Sequence, residues 1–429
     1  MNASQDPLTS DVLLVLQSCA ADNPWLPRLK AFECEEADEA FIPFIPLFLS
    51  PKTIDIDITF AQDIPNVAVA SVIRRFSTLC PDLEYIAFPN LPRHSVITGA
   101  ISELLLSCNR NILRGFRVDS PLTEEAREVL YQLPRLRHLW AVVQGLTSIS
   151  TVTLPNLTVI DVEYDDHLDW LRGFRGATLG KLEEARFNSE SEQIGDFLSA
   201  FESVAITTQA QNTLSSLKFQ TSRSWNPKYS SLLSFKQLKE LEIEFSCDGG
   251  CSSKVDDDII TSLAQAMPKL EVLQLGGAPC RSLTGVTVNG LIGLSCHCPH
   301  LSKLRIHFQA ASLVNTAASA VTPPPSKSEH VVRREDCALV DLDVGQTPIP
   351  AGSASTVALI LPQIFPHILN VKYTNQEWKA VVETIKRFRQ IGAFVLHSSK
   401  ARPSYPMTPT DTPPGDAIYA GRPPENGQA

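Results

Sequence analysis

The sequence is poor in the features that would assign it a chemistry. Only ten of its 429 residues are cysteine, too few for a disulfide scaffold, and a reducing compartment keeps them as thiols. No apolar run approaches the roughly 18 residues that a membrane span needs. Basic residues are in the minority, with a net charge of -10 and a pI of about 5.4. A phosphate backbone or an anionic membrane surface is therefore repelled, which argues against nucleic acid and membrane as the main partners and leaves room only for a local basic patch. Asp6 and Asp11 stand where a secretory leader carries positive charge, so "MNASQDPLTSDVLLVLQSCAAD" is expected to form a helix of a cytoplasmic or nuclear protein. Nucleophile elbow, Walker-type loop, His-Glu-x-x-His and dinucleotide Gly-x-Gly-x-x-Gly are all absent. No catalytic residue, cofactor site or metal ligand is assigned, and an enzyme is not expected.

The densest group of metal-ligating residue types is Cys296, His297, Cys298 and His300, within "LSCHCPHLSKLRIHF". Soft ligands so closely spaced suggest zinc. The same segment also reads apolar-Pro-x-Leu-x-x-Leu-x-Ile, and that pattern has kin along the chain. With the proline it begins at Leu26, Cys80, Leu133, Leu154, Met267, Cys298 and Phe365. Without it, related copies begin at Thr53, Leu113, Leu182, Leu214, Leu238 and Leu339. The copies recur about every 21 to 38 residues, with a mean of about 28, the range of leucine-rich repeats. Aligned, the position before the proline is an apolar column in which free cysteine serves as a small hydrophobe. The position after it holds Arg28, Asp82, Arg135, Asn156, Lys269, His300 and His367, a polar, solvated column. Cys298 thus reads as core and His300 as surface, and the repeat displaces the zinc site.

Residues two apart on a strand share a face, so the last two apolar positions of each copy point inward together. Between the copies, stretches such as "VASVIRRFSTLC", "ITGAISELLLSC", "TEEAREVLYQL", "SEQIGDFLSAF", "DDIITSLAQAM" and "TVNGLIGLSCHC" repeat their apolar residues at helical spacing. Strand, crossover helix and next strand wind a right-handed parallel coil. The expected fold is α/β: a curved leucine-rich-repeat solenoid with parallel strands on the concave face and helices on the convex face, stable only because neighbouring repeats share a core. It is expected to span residues 1–398 with about 13 repeats. A flexible Pro-rich insertion is expected near residues 311–335 and a C-terminal capping helix near 375–391. Residues 399–429, rich in Pro, Gly and Thr, read as a disordered tail.

Outward strand positions alternate with the core ones, so the concave face can be read from the sequence. The candidate protein-binding residues are Arg117, His138, Trp140, Asp161, Glu163, Glu240, Glu242, Glu244, Lys303 and Arg305. Together with Glu33, Glu35, Asp55, Asp57, Asp119, Glu184, Arg186, His307, Asp341 and Asp343, they suggest a mostly acidic groove with one basic break, suited to a basic or mixed-charge protein segment. Trp140 is the expected anchor.

The "CPxLxxLxI" repeats, "FIPFIPLFLSPKTIDIDITF" at Phe41 and "LTGVTVNGLIGLSCHCPHLSKLRIHF" at Leu283 resemble the large fungal F-box/leucine-rich-repeat proteins over most of residues 10–395. The resemblance implies a repeat surface that holds a substrate protein. It also implies an N-terminal F-box that binds a Skp-type adaptor of a cullin ubiquitin ligase. Here the first repeat strand begins near Leu29, so the F-box is expected to be either truncated or absent, and adaptor and cullin are partners only if an F-box lies outside this chain. Three readings follow: the substrate-binding part of a ubiquitin-ligase receptor, an F-box-less scaffold or adaptor unconnected to ubiquitin, and, third, a metal-dependent or cysteine enzyme.

Overall fold

The structure, a computed structural model, describes Val15, Ser18 and residues 24–400 apart from 144–151, 165–170, 172–173, 175–176, 190–196, 222–227, 246–254, 277–284 and 317–336; for Val143, Tyr164, Asn315, Thr316 and residues 391–400 it describes the backbone alone. The expected N-terminal helix lies almost wholly outside the described residues.

Each repeat segment contributes one strand. In chain order these are β1 (Ala31–Ala37), β2 (Asp55–Phe60), β3 (Tyr85–Phe88), β4 (Gly115–Val118), β5 (His138–Val143), β6 (Val159–Tyr164) and β7 (Glu184–Ser189). They continue with β8 (Ser216–Thr221), β9 (Glu240–Phe245), β10 (Val272–Leu275), β11 (Lys303–Ile306), β12 (Asp341–Asp343) and β13 (Asn370–Lys372). All thirteen join one sheet in sequential order, and every pairing is parallel. Even "TIDIDI" and "LVDLDV", which carry the pattern most weakly, form β2 and β12.

The local chemistry explains the regularity. In the proline-bearing copies the apolar-Pro-x-Leu segment is a turn: Leu157 N donates to Leu154 O at 3.2 Å, Leu270 N to Met267 O at 3.1 Å, and Leu301 N to Cys298 O at 3.2 Å. Proline in the second position pre-sets the backbone for such a turn. From there the chain enters its strand by giving two N–H groups to one carbonyl of the previous repeat. Arg114 and Gly115 donate to Glu84 O at 2.7 and 3.0 Å, and Glu271 and Val272 donate to Lys239 O at 2.7 and 2.9 Å. The arrangement persists to Val340 O, which accepts from Leu369 and Asn370.

Helices fill the crossovers: α1 (Ile45–Phe48), α2 (Asn66–Leu79), α3 (Ser95–Ser107), α4 (Glu124–Leu130), α5 (Phe197–Thr207), α6 (Asp257–Ala266), α7 (Val288–His297), α8 (Ala310–Thr316), α9 (Ala354–Ile364) and α10 (Trp378–Lys400). Strands stack about 4.8 Å apart while a helix with its side chains is about 10 Å wide. The helical side is therefore the longer, and the sheet lines the inner face of the leucine-rich-repeat solenoid. Its core runs continuously between the layers. Phe187, Phe197, Phe201, Phe219 and Phe235 link three successive repeats, with ring centroids 4.9 Å apart for Phe187–Phe197, 5.2 Å for Phe197–Phe219 and 5.6 Å for Phe201–Phe235.

Three sequence expectations are corrected. Leu26, placed in the buried column before the proline, is 47% exposed, whereas Leu133, Leu154, Met267, Cys298 and Phe365 in that column are buried. Leu26 belongs to the first repeat, whose strand β1 pairs only with β2 among the described residues, so less of the stack is there to cover it. The insertion expected from residue 311 starts later, because residues 310–316 form α8, whose Leu313 is fully buried; residues 317–336 lie outside the described residues. The tail expected from residue 399 begins with the last two residues of α10, and 401–429 lie outside the described residues. Helix α9, which carries an internal Pro362, was not anticipated.

The chain forms two compact units, Met1–Thr384 and Ile385–Ala429, and all the strands belong to the first. Within that unit the start of α10 packs on the last repeats: the Trp378 indole is fully buried, donates to Thr347 O at 2.8 Å and meets Phe308 edge-on. Among the described residues no helix is long and apolar enough to cross a membrane.

Candidate functional site

Parallel pairing in register turns the sheet face into rows of side chains, one residue per strand. The middle row reads Glu33, Asp57, Ala87, Arg117, Trp140, Asp161, Arg186, Lys218, Glu242, Gln274, Arg305, Asp343 and Lys372. Two acids open it, and from β4 onward cations and anions are interspersed. The mostly acidic groove with one basic break is therefore not what the register produces: Lys218 and Lys372, which the sequence reading left out, share this row.

A groove of about 280 Å³ opens over β2 to β7. Asp55 and Asp57 line it at one end, Asp161 and Arg186 at the other, with Tyr85, Gly115, Arg117, His138 and Trp140 between. Gly115 is required for its shape, because a Cβ there would lie 2.3 Å from Tyr85 Cδ1. The missing side chain lets the Tyr85 ring lean across β4 to within 6.2 Å of the His138 ring, on the strand beyond. One strand row away, the Arg117 guanidinium lies 3.8 Å from the centre of the Trp140 ring. Trp140, expected to be exposed, is consequently half-buried.

Asp161 departs furthest from expectation. Read as an open surface carboxylate, it is only 5% exposed, being flanked in register by the long side chains of Trp140 and Arg186. Burial pushes its carboxyl up to about 6; Arg186 and Arg117 oppose this, while Glu184 and Asp119 add to it. Its Oδ2 is 4.0 Å from Arg186, whose guanidinium is held instead by Glu184 at 2.6 Å. Asp161 Oδ1 accepts no hydrogen bond, and Asp119 Oδ1 and Arg117 Nε are likewise buried without a partner. Buried polar atoms are normally satisfied, so three such atoms within neighbouring repeats mark this part of the face.

The remaining candidates are not gathered here. Glu163 pairs with Arg93. Glu240 and Glu242 hold Lys218 at 3.3 and 3.1 Å. Burial by itself would lower the Lys218 ammonium, but these two carboxylates raise it above its ordinary value. Glu244 meets Arg305 at 2.6 Å, with Asp343 on the other side of Arg305 at 3.7 Å. Lys303 is exposed on the adjacent row. Far from the groove, Cys298 is fully buried with its Sγ 3.7 Å from Ala264 O and 3.8 Å from Met267 O, a core thiol pushed up to about 12 by burial. Among the described residues no group of three His, Cys, Asp or Glu could hold a metal ion.

Tyr85, Gly115 and Lys218 were missed as site residues. The signal for the first two was present: glycine at an outward strand position marks a close approach by a neighbour, and Tyr85 stands at the matching position of the preceding copy.

No family profile matches the chain, and no curated protein is similar to it. Among solved structures, one chain of the yeast Rad7 and Elc1 complex is similar at 13% identity and a TM-score of 0.29, over 85% of this chain and 82% of that one. The leucine-rich-repeat assignment rests on the strand order and register of this chain itself.

Proposed function

We propose that the chain is a non-catalytic protein-recognition module whose partner lies on the strand face, centred on Trp140 with His138, Arg117 and Asp161. The observation that carries this reading is the groove over β2 to β7, with its aromatic walls and its buried, unpartnered polar atoms. Elsewhere on the face, charged side chains satisfy one another, as around Lys218 and Arg305. Aromatic and arginine side chains set in a desolvated hollow are the composition of an interface hot spot. At about 280 Å³ the hollow is at the small end of ligand pockets and suits a protruding side chain better than a cofactor.

The finer reading is that the repeats form the substrate-binding part of an F-box-type ubiquitin-ligase receptor of the cytoplasm or nucleus, with the adaptor and cullin reached through an F-box outside the repeats. The resemblance of the "CPHLSKLRI"-type repeats supports it. Affinity purification of the tagged chain, followed by mass spectrometry, is expected to recover a protein that a Trp140→Ala, His138→Ala variant loses. Recovery of an adaptor and a cullin with both versions supports the ligase reading. Their absence, with the partner retained, identifies a free-standing scaffold. A partner equally retained by the variant refutes the face.

A further inference from the structure

Resting on that recognition reading, we propose that the groove selects a basic segment: an extended partner chain that sets an arginine or lysine side chain over Asp55 and Asp57 and runs across the strands towards Asp161.

The charge pattern of the face supplies the first argument. Between β6 and β12 most of the carboxylates on this face have a cation of the sheet beside them: Glu184 holds Arg186, Glu240 and Glu242 hold Lys218, and Glu244 and Asp343 flank Arg305. At β1 and β2 this ends. Glu33 and Asp57 are register neighbours, Asp55 sits two residues before Asp57 on the same face, and none of the three meets a cation among the described residues. Burial, then Asp57 and Glu33, push the Asp55 carboxyl above its ordinary range. Three adjacent like charges without a counter-ion destabilise the sheet, and an incoming cation relieves them.

An acid cluster alone would show no more than solvated surface, and Asp161 is the independent observation. Its side chain is 7% exposed, lines the same groove and leaves Oδ1 without a donor. The ion already in the middle of the groove does not compete for the incoming cation, because Arg117 is stacked on Trp140 rather than paired with Asp55 or Asp57. From β2 to β6 is four strand steps, about 19 Å, which an extended chain spans in about six residues. A peptide crossing the strands thus reaches both points, and the small groove volume admits the side chain between them.

The test is to pan a random dodecapeptide library displayed on phage against the full chain and to titrate the best binder. Enriched peptides are expected to carry arginine or lysine. Binding is expected to weaken about tenfold with Asp55→Asn, Asp57→Asn and on raising salt from about 50 to 500 mM. A Glu124→Gln, Glu125→Gln variant on α4 is expected to bind like the parent. Thermal melts of the Asp55→Asn, Asp57→Asn variant separate lost binding from lost folding, and relief of repulsion is expected to leave its melt unchanged or raised. Neutral or acidic peptides whose binding ignores Asp55 and Asp57 overturn the cation preference and leave the recognition reading standing. Failure to enrich any peptide on the groove overturns both.

Discussion

Replacing Asp161 by asparagine is expected to stabilise the protein at neutral pH and not in acid. The isostere keeps the shape of the side chain and removes a charge held 5% exposed between Trp140 and Arg186 with one oxygen unpartnered. The folded-state carboxyl titrates at about 6, against an ordinary value of 3.8. Below about pH 4 the acid is protonated in both states and the folded form bears no penalty. Between about pH 4 and 6 the unfolded chain releases the proton while the folded chain keeps it, so this group's contribution to stability falls as pH rises. Above about pH 6 both states are ionised and the full penalty applies. The gap corresponds to about 3 kcal/mol, reduced to about 1–3 kcal/mol by screening through the mouth of the groove. For a unit as large as Met1–Thr384 that is a rise in Tm of roughly 1–4 °C. Calorimetric scans of wild type and Asp161→Asn at pH 4 and pH 7.5 measure it. A variant destabilised at pH 7.5, or one equally shifted at both pH values, would refute the idea that ionisation of a buried, poorly satisfied carboxylate is what costs stability here.

Three further outcomes follow from the geometry. Gly115→Ala puts a Cβ 2.3 Å from the Tyr85 ring and is expected to cost about 1–3 kcal/mol in urea unfolding, as overpacking does; adding Tyr85→Ala should recover most of that loss, and a neutral Gly115→Ala contradicts the close approach. The Arg117–Trp140 stack at 3.8 Å is expected to give a coupling of about 0.5–1 kcal/mol in a double-mutant cycle with Arg117→Met and Trp140→Leu, and zero coupling would remove it as an element of the groove. Cys80, Cys108 and Cys298, with thiols pushed up to about 11, 12 and 12 by burial, are expected to resist iodoacetamide at pH 8 until the protein is unfolded, while half-buried Cys296 reacts; rapid native labelling of Cys298, read by peptide mass spectrometry, would place it outside the core.

The strands were legible because their signal is doubled. An apolar triplet fixes which face of a strand is buried, and a proline one position after an apolar residue fixes the turn that precedes it. Cys298 shows the strength of the second cue: surrounded by His297 and His300 it resembles a metal ligand, yet its column placed it in the core, where it lies. What the pattern could not give is context at the ends and between copies. Leu26 carries the full motif and is still exposed, because burial in a stack is supplied by the neighbouring repeat rather than by the residue. Helix α9 hid behind Pro362, which reads as a breaker although a helix can tolerate it.

The site was legible as a set of outward positions and not as a place. Knowing that Asp161 points away from the helices says nothing about whether water reaches it. That depends on which side chains stand beside it in register, and register between repeats is set by loop lengths that vary from copy to copy. Once the rows are aligned, Trp140 and Arg186 are its walls, and an apparently ordinary surface acid becomes a buried charge with a displaced titration. The same alignment moves Glu240 and Glu242 in the opposite direction, from candidate contacts to the counter-ions of Lys218. Stability alone would favour a neutral residue in place of Asp161, and natural sequences are rarely at their stability optimum. The stability cost of the Asp161 carboxylate and its part in the proposed binding are therefore separate measurements, the first read by melts of Asp161→Asn and the second by that variant's affinity for a partner.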